Sequence, residues 1–171
     1  MAAIQSSRED ALAAGFAALA VCIHLLESAV PMPLPGVKPG LANVVVLIVL
    51  LRHGFRLAAS VALLRVVAGA ALLGTLFTPA FFLSLAGALA SLVAAGLAHR
   101  AGGRFVGPVG IAVAMAMAHM SGQFLLAWQV FVPHPALVNI LPVLLAASLG
   151  LGMLTGIIAA SVLVRLPVPN R

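Results

Sequence analysis

Acidic residues are almost missing from this chain. Glu9, Asp10 and Glu27 are its only carboxylate side chains, and Asp10 is its sole aspartate. Magnesium held against substrate phosphates is bound through carboxylates, so no Asp-rich diphosphate site can be built from this chain alone. Cysteine is as scarce. Cys22 stands alone, which rules out an intrachain disulfide and leaves the redox compartment open. There is no Gly-x-x-x-x-Gly-Lys-Ser/Thr loop to cradle nucleotide phosphates. Neither a Cys/His cluster nor a His-Glu-x-x-His helix offers a zinc site, and no serine sits in a Gly-x-Ser-x-Gly elbow. The parts of an autonomous enzyme are absent, and no cofactor or metal is expected. Charge of either sign is rare, at 7% of residues, where a soluble domain carries about 25%. That excludes a soluble globular domain.

What is present is apolar. The chain is 64% hydrophobic, with a mean hydropathy of +1.25 and a pI near 11.8. In a soluble protein such a pI would point to nucleic acid; here it reflects the shortage of acids. The basic residues are placed with a pattern. Arg8, Arg52 with Arg56, Arg100 with Arg104, and Arg165 with Arg171 mark four places along the chain. Between them, apolar stretches pair into six membrane-crossing helices. The turns on the opposite side hold only Lys38, and Arg65 lies inside a span. This is the positive-inside distribution, so both termini are expected in the cytoplasm, with the lipid bilayer as the chain's main partner and anionic headgroups beside the arginines. The expected fold is an all-α six-helix bundle in the bacterial cytoplasmic membrane. One transmembrane domain covers residues 1–171, with short cytoplasmic tails at 1–10 and 165–171 around a bundle at 11–164.

The spans are predicted at Ala11–Ala29, Leu41–Leu51, Leu57–Phe77, Ala80–Ala98, Val106–Val130 and Ile140–Val164. The first is long enough to cross a core of about 30 Å. It fits a cleaved signal peptide poorly, because Glu9 and Asp10 offset Arg8 and no clear small-residue cleavage site follows. The second is short for a full crossing. Ahead of it, residues 31–40 hold four prolines and two glycines, which no regular helix accommodates. Either this segment dips into the outer half of the membrane, or the short helix is tucked among its neighbours. Thr78-Pro79 predicts a very tight outer turn between the third and fourth spans. Residues His99 to Arg104 predict a flexible inner loop, and Pro133-His134-Pro135 an outer break.

Polar groups within a bilayer usually face the protein interior or a water-filled site. Here they concentrate in the outer halves of the spans: Glu27, Asn43, Thr75 and Ser84, then His119 with Gln123 one turn apart on a shared face, and Asn139. The inner halves hold little beyond Arg65 and Thr155. A pocket open to the outside and sealed below is expected, with Glu27, Lys38, Asn43, Arg65, Thr75, Ser84, His119 and Gln123 as candidate substrate contacts. Each has a plainer alternative. Glu27 can be an interfacial carboxylate, bonded to His24 three residues back. Arg65 can snorkel to the cytoplasmic face. An estimated depth difference of roughly 12 Å, at 1.5 Å per residue, keeps a Glu27–Arg65 pair from being assumed. Thr75 and Ser84 can bond to their own helix carbonyls, and His119 can be a structural histidine. Small residues recur four apart in the first span (Ala13 with Ala17, Ala14 with Ala18), at Ala70 with Gly74, and at Gly152 with Gly156. Such faces permit close helix approach, within the bundle or to a partner.

Several stretches carry a family resemblance. Glu27-Ser28 with the proline-rich turn, then Pro35-Gly36-Val37-Lys38-Pro39-Gly40-Leu41-Ala42-Asn43, resemble the signature of the Gx transporter family, often labelled heptaprenyl diphosphate synthase component I. So do Leu64-Arg65-Val66-Val67-Ala68-Gly69, Gly74 to Phe81, and Ser84-Leu85-Ala86-Gly87. Ala118-His119-Met120-Ser121-Gly122-Gln123 is similar to the family's His-Asn-x-Gly-Gln stretch, with Met120 in place of the asparagine. The likeness runs from about Ala11 to Leu163. It implies kinship with the substrate-binding S-components of energy-coupling-factor transporters, six-helix proteins that capture small molecules and depend on a transmembrane coupling subunit and ATPases. It also implies partner docking through the small face of the first helix, at Ala13 with Ala17 or Ala14 with Ala18. Two functions stay open on these grounds. One is a small-molecule transport subunit; the other is a non-catalytic membrane subunit of a prenyl diphosphate synthase. A membrane scaffold is a third.

Overall fold

The computed structural model describes residues 2–29, 40–102 and 106–166. Most of the proline-rich segment including Lys38, part of the expected inner loop with Arg104, and Arg171 lie outside them. Among the described residues six α-helices make up the bundle: α1 (Ala2–Ala29), α2 (Leu41–His53), α3 (Phe55–Leu72), α4 (Pro79–Gly102), α5 (Pro108–Leu126) and α6 (Leu141–Arg165). No strand occurs among the described residues. Five stretches are long and apolar enough to cross a bilayer, and α2 is the shorter sixth. Within those five, only 22% to 39% of the apolar window is buried inside the chain. Leu26, Val93, Leu97 and Val164 are each more than 60% exposed. In water that surface would be untenable; in hydrocarbon it is the expected exterior. The chain is a multi-pass membrane protein.

Helix α2 explains how a short span belongs in this bundle. Its 13 residues extend about 20 Å at 1.5 Å per residue, less than a hydrocarbon core of about 30 Å. It packs against α1, α3, α5 and α6, and Val46, Leu47, Val49 and Leu50 are at most 2% exposed. The short helix is thus tucked among its neighbours, while the proline-rich segment of the other alternative lies outside the described residues. A single residue, Gly54, separates α2 from α3. Its φ of 91° lies where a side chain is strained, and its N–H closes α2 on the Leu50 carbonyl.

Several expected boundaries are corrected. The expected first span, Ala11–Ala29, agrees with the membrane-length stretch Asp10–Ala29, and helix α1 extends it back to Ala2 because residues 2–10 hold no breaker. Helix α3 stops at Leu72, five residues early. The connection to α4 is the six-residue turn Leu73–Thr78 rather than a very tight Thr78-Pro79 corner, and it takes positive φ at Gly74 (66°) and Phe77 (61°). Apolarity continued through Phe77 while helical geometry had ended. Gly74 is consequently a turn residue and not half of a packing pair with Ala70. Helix α4 runs on through His99 and Arg100 where a loop was expected; cations in a last turn suit the helix dipole. Helix α5 begins at Pro108, which needs no backbone donor at the first turn. It ends in a π-helical stretch, Ala127–Phe131, and a 3-10 turn, Pro135–Ile140, leads into α6. Exposed Asn139 lies in that turn.

Helices α4, α5 and α6 pack most extensively, α5 being central. On α6 the buried face is Ser148, Gly152, Thr155, Gly156 and Ala159. A Cβ at Gly156 would fall 2.6 Å from Val109 Cα, and one at Gly152 would fall 2.9 Å from Val113 Cα. The small face therefore lets two backbones touch. Helix α1 packs on α3 and α2.

Candidate functional site

A cavity of about 450 Å³ lies inside the bundle and is lined by all six helices. It extends from the end of α1, the start of α2 and the α3–α4 turn down to Arg65, Ala112 and Thr155. Its upper end is thus the one opposite the arginine-bearing ends of α2, α4 and α6.

Glu27 is buried in the last turn of α1. Its Oε1 accepts the Leu41 N–H, the first of α2. The first N–H groups of a helix have no partner within it, and α2's own N-cap, Gly40, has no side chain to offer. A carboxylate from another helix does this work, with the positive end of the α2 dipole favouring its charge. Glu27 so ties α1 to α2 on either side of residues 30–39.

Arg65, in the middle of α3, is 7% exposed and faces the cavity. Its buried Nε has no hydrogen-bond partner. Glu27 acts on it through space, but no ion pair joins the two among the described residues. His119 projects from α5 with its ring against the Gly87 backbone of α4. Its Nδ1 is buried and unpartnered, and Arg65 acts on it through space. A Cβ on Gly87 would come within 2.8 Å of both the His119 ring and Gln123 Cγ. Glycine at that position is what allows the polar face of α5 to lie on α4.

Most hydroxyls around the cavity already donate to backbone. Ser28 donates to His24 O at 2.8 Å, Ser148 to Leu144 O at 2.8 Å, Thr155 to Gly152 O at 3.0 Å and Thr75 to Ala70 O at 3.4 Å. They offer lone pairs to a ligand, while the protons stay engaged.

Seven of the residues singled out from sequence share this cavity: Glu27, Asn43, Arg65, Thr75, Ser84, His119 and Gln123. Lys38 lies outside the described residues. His24 also lines the cavity, its ring packed at Gly69. Ser148 was missed, although Ser148, Gly152, Thr155 and Gly156 recur at helical spacing and mark one face of α6. On α1, Ala13 and Ala17 are buried in the chain, and Ala14 and Ala18 are exposed.

Residues 16–162 match the family described as heptaprenyl diphosphate synthase component I. The chain belongs to that family. The match reaches each of the six helices, starting within α1 and ending within α6, and covers the whole cavity lining; a component I implies a second subunit. No curated protein and no solved structure gives a significant match to the chain.

Proposed function

We propose that the chain is the substrate-binding membrane subunit of a small-molecule transporter, similar in role to an S-component. The observation that carries this reading is the cavity. It has the size of a small-molecule site, and apolar walls surround a few convergent polar groups. Its upper end lies away from the arginines, which the positive-inside rule assigns to the cytoplasm, and in this reading the solute enters there, from outside the bacterial cytoplasmic membrane. Glu27, Lys38, Asn43, Arg65, Thr75, Ser84, His119 and Gln123 are the contacts offered to it. A transmembrane coupling subunit and ATPases supply the energy, docking on α1 beside Ala14 and Ala18, the outward-facing members of the alanine face.

The test is a thermal-stabilisation screen of the purified chain in lipid nanodiscs against a broad set of small metabolites. Saturable stabilisation, lost when the cavity is filled by Ala116→Phe, is expected. If no compound gives it, the reading fails.

The family description favours a second reading, a non-catalytic subunit of a prenyl diphosphate synthase. Leu47, Val66, Leu83, Met115 and Leu151 line the cavity and suit an apolar chain, and the partner would bring the magnesium carboxylates. Co-expression with a soluble prenyl synthase subunit decides it: a gain in long-chain product would displace the transport reading.

A further inference from the structure

Building on the cavity as a solute site, we infer that its occupant carries one anionic group, a carboxylate or a phosphate ester, on an apolar body. Among the described residues, two oppositely charged side chains line the cavity, and they are not equivalent. Glu27 already holds the first N–H of α2. A ligand amine would have to compete with that N–H and with the positive end of the helix dipole. Arg65 is in the reverse position. It is 7% exposed, its Nε lacks a partner, and it faces the empty volume. A guanidinium has five N–H donors and does not lose its proton, and a buried charge calls for a counter-charge.

The other polar groups do not reverse that sign. His24 and His119, Asn43 and Gln123 line the same space and carry no negative charge. Thr75, Ser148 and Thr155 direct their protons into the backbone. Among the described lining residues there is one arginine, which offers a place for one anionic group, and a bidentate fork suits both carboxylate and phosphate. The rest of the lining, including Leu47, Phe81, Met115 and Met120, receives the apolar body.

Four matched probes test this on the full chain in zwitterionic nanodiscs by equilibrium dialysis: 2-naphthoate, 2-naphthyl phosphate, 2-naphthamide and 2-naphthylmethylamine. At least one acid is expected to bind about tenfold or more tighter than the amide, as a charge-assisted pair permits. Arg65→Met should erase the difference, and Arg65→Lys, which keeps the charge if Met fails to fold, should retain part of it. Competition from added phosphatidylglycerol would identify a lipid headgroup as the source of the anion, and its absence a free solute; either supports the assignment. Tighter binding of the amine or amide, or acid binding unchanged in Arg65→Met, overturns it. If no probe binds while the metabolite screen yields a neutral or cationic ligand, the anion assignment falls and the cavity reading stands. If neither gives saturable binding, both fall.

Discussion

Three glycines on α6 allow a controlled test of how closely α5 and α6 approach. Gly150, Gly152 and Gly156 lie in one helix, so replacing any of them by alanine brings a similar propensity gain of about 0.5–1 kcal/mol. They differ in what the new methyl meets. At Gly150 nothing lies within 4 Å, and Gly150→Ala should be neutral or stabilise by up to that gain. At Gly152 the methyl would fall 2.9 Å from Val113 Cα and 3.0 Å from Ala116 Cβ. At Gly156 it would fall 2.6 Å from Val109 Cα. That last neighbour is backbone and has no rotamer to change. Ordinary contact starts at 3.4 Å, so α5 would have to retreat by most of an ångström along its packed seam with α6. Overpacking of this kind costs about 1–3 kcal/mol. Net of propensity, Gly152→Ala should lose about 1 kcal/mol and Gly156→Ala about 2 kcal/mol. Unfolding in mixed micelles, titrated with dodecyl sulfate and followed by far-ultraviolet circular dichroism, reads the order directly. Equal stability of Gly156→Ala and Gly150→Ala would refute the close approach of the two backbones.

Other expectations follow from single contacts. Glu27→Ala leaves the part-buried Leu41 N–H without its acceptor and should destabilise by about 1 kcal/mol, with faster amide exchange at the start of α2 as the local readout. Phe77 holds a φ of 61° while 78% exposed, so Phe77→Gly should be about 1 kcal/mol more stable than Phe77→Ala, since both lose the ring contact to Phe81 and only glycine relieves the left-handed backbone. In a Cys22→Ala background, a membrane-impermeant maleimide should label His53→Cys from the cytoplasmic side only and Ala136→Cys from outside only. Both positions are exposed, and the reverse pattern would invert the assigned orientation.

The helical architecture was legible because the bilayer imposes it. Apolar length and the spacing of arginines act at the scale of a whole span, and small errors in either do not change the count. Helix ends are set by single residues instead. Gly54 and Pro108 are punctuation of a familiar kind, but the end of α3 depends on Phe77 adopting a left-handed φ, which nothing about phenylalanine announces. Apolarity continues smoothly through that turn, so hydropathy misplaces it by five residues. The π-helical end of α5 has the same character, since Ala127–Phe131 carries no breaker to mark it.

The site divides along a similar line. Scarcity made Glu27, Arg65 and the His119–Gln123 face conspicuous, because a polar side chain in hydrocarbon needs a reason, and all of them line one cavity. Their individual tasks depend on partners that the chain brings from afar. The role of Glu27 is fixed by a backbone N–H fourteen positions on, and a main-chain donor leaves no mark in a sequence. An estimate of depth alone could set Glu27 beside Arg65 or apart from it. Once the carboxylate is seen to cap α2, the guanidinium is left as the cavity's charged group without a hydrogen-bonded partner, and what began as an undecided pair becomes a preference of sign. The Gly87 position carries the complementary lesson: its importance lies in the 2.8 Å that a methyl would leave to His119 and Gln123, a constraint that only the packed pair α4 and α5 can express.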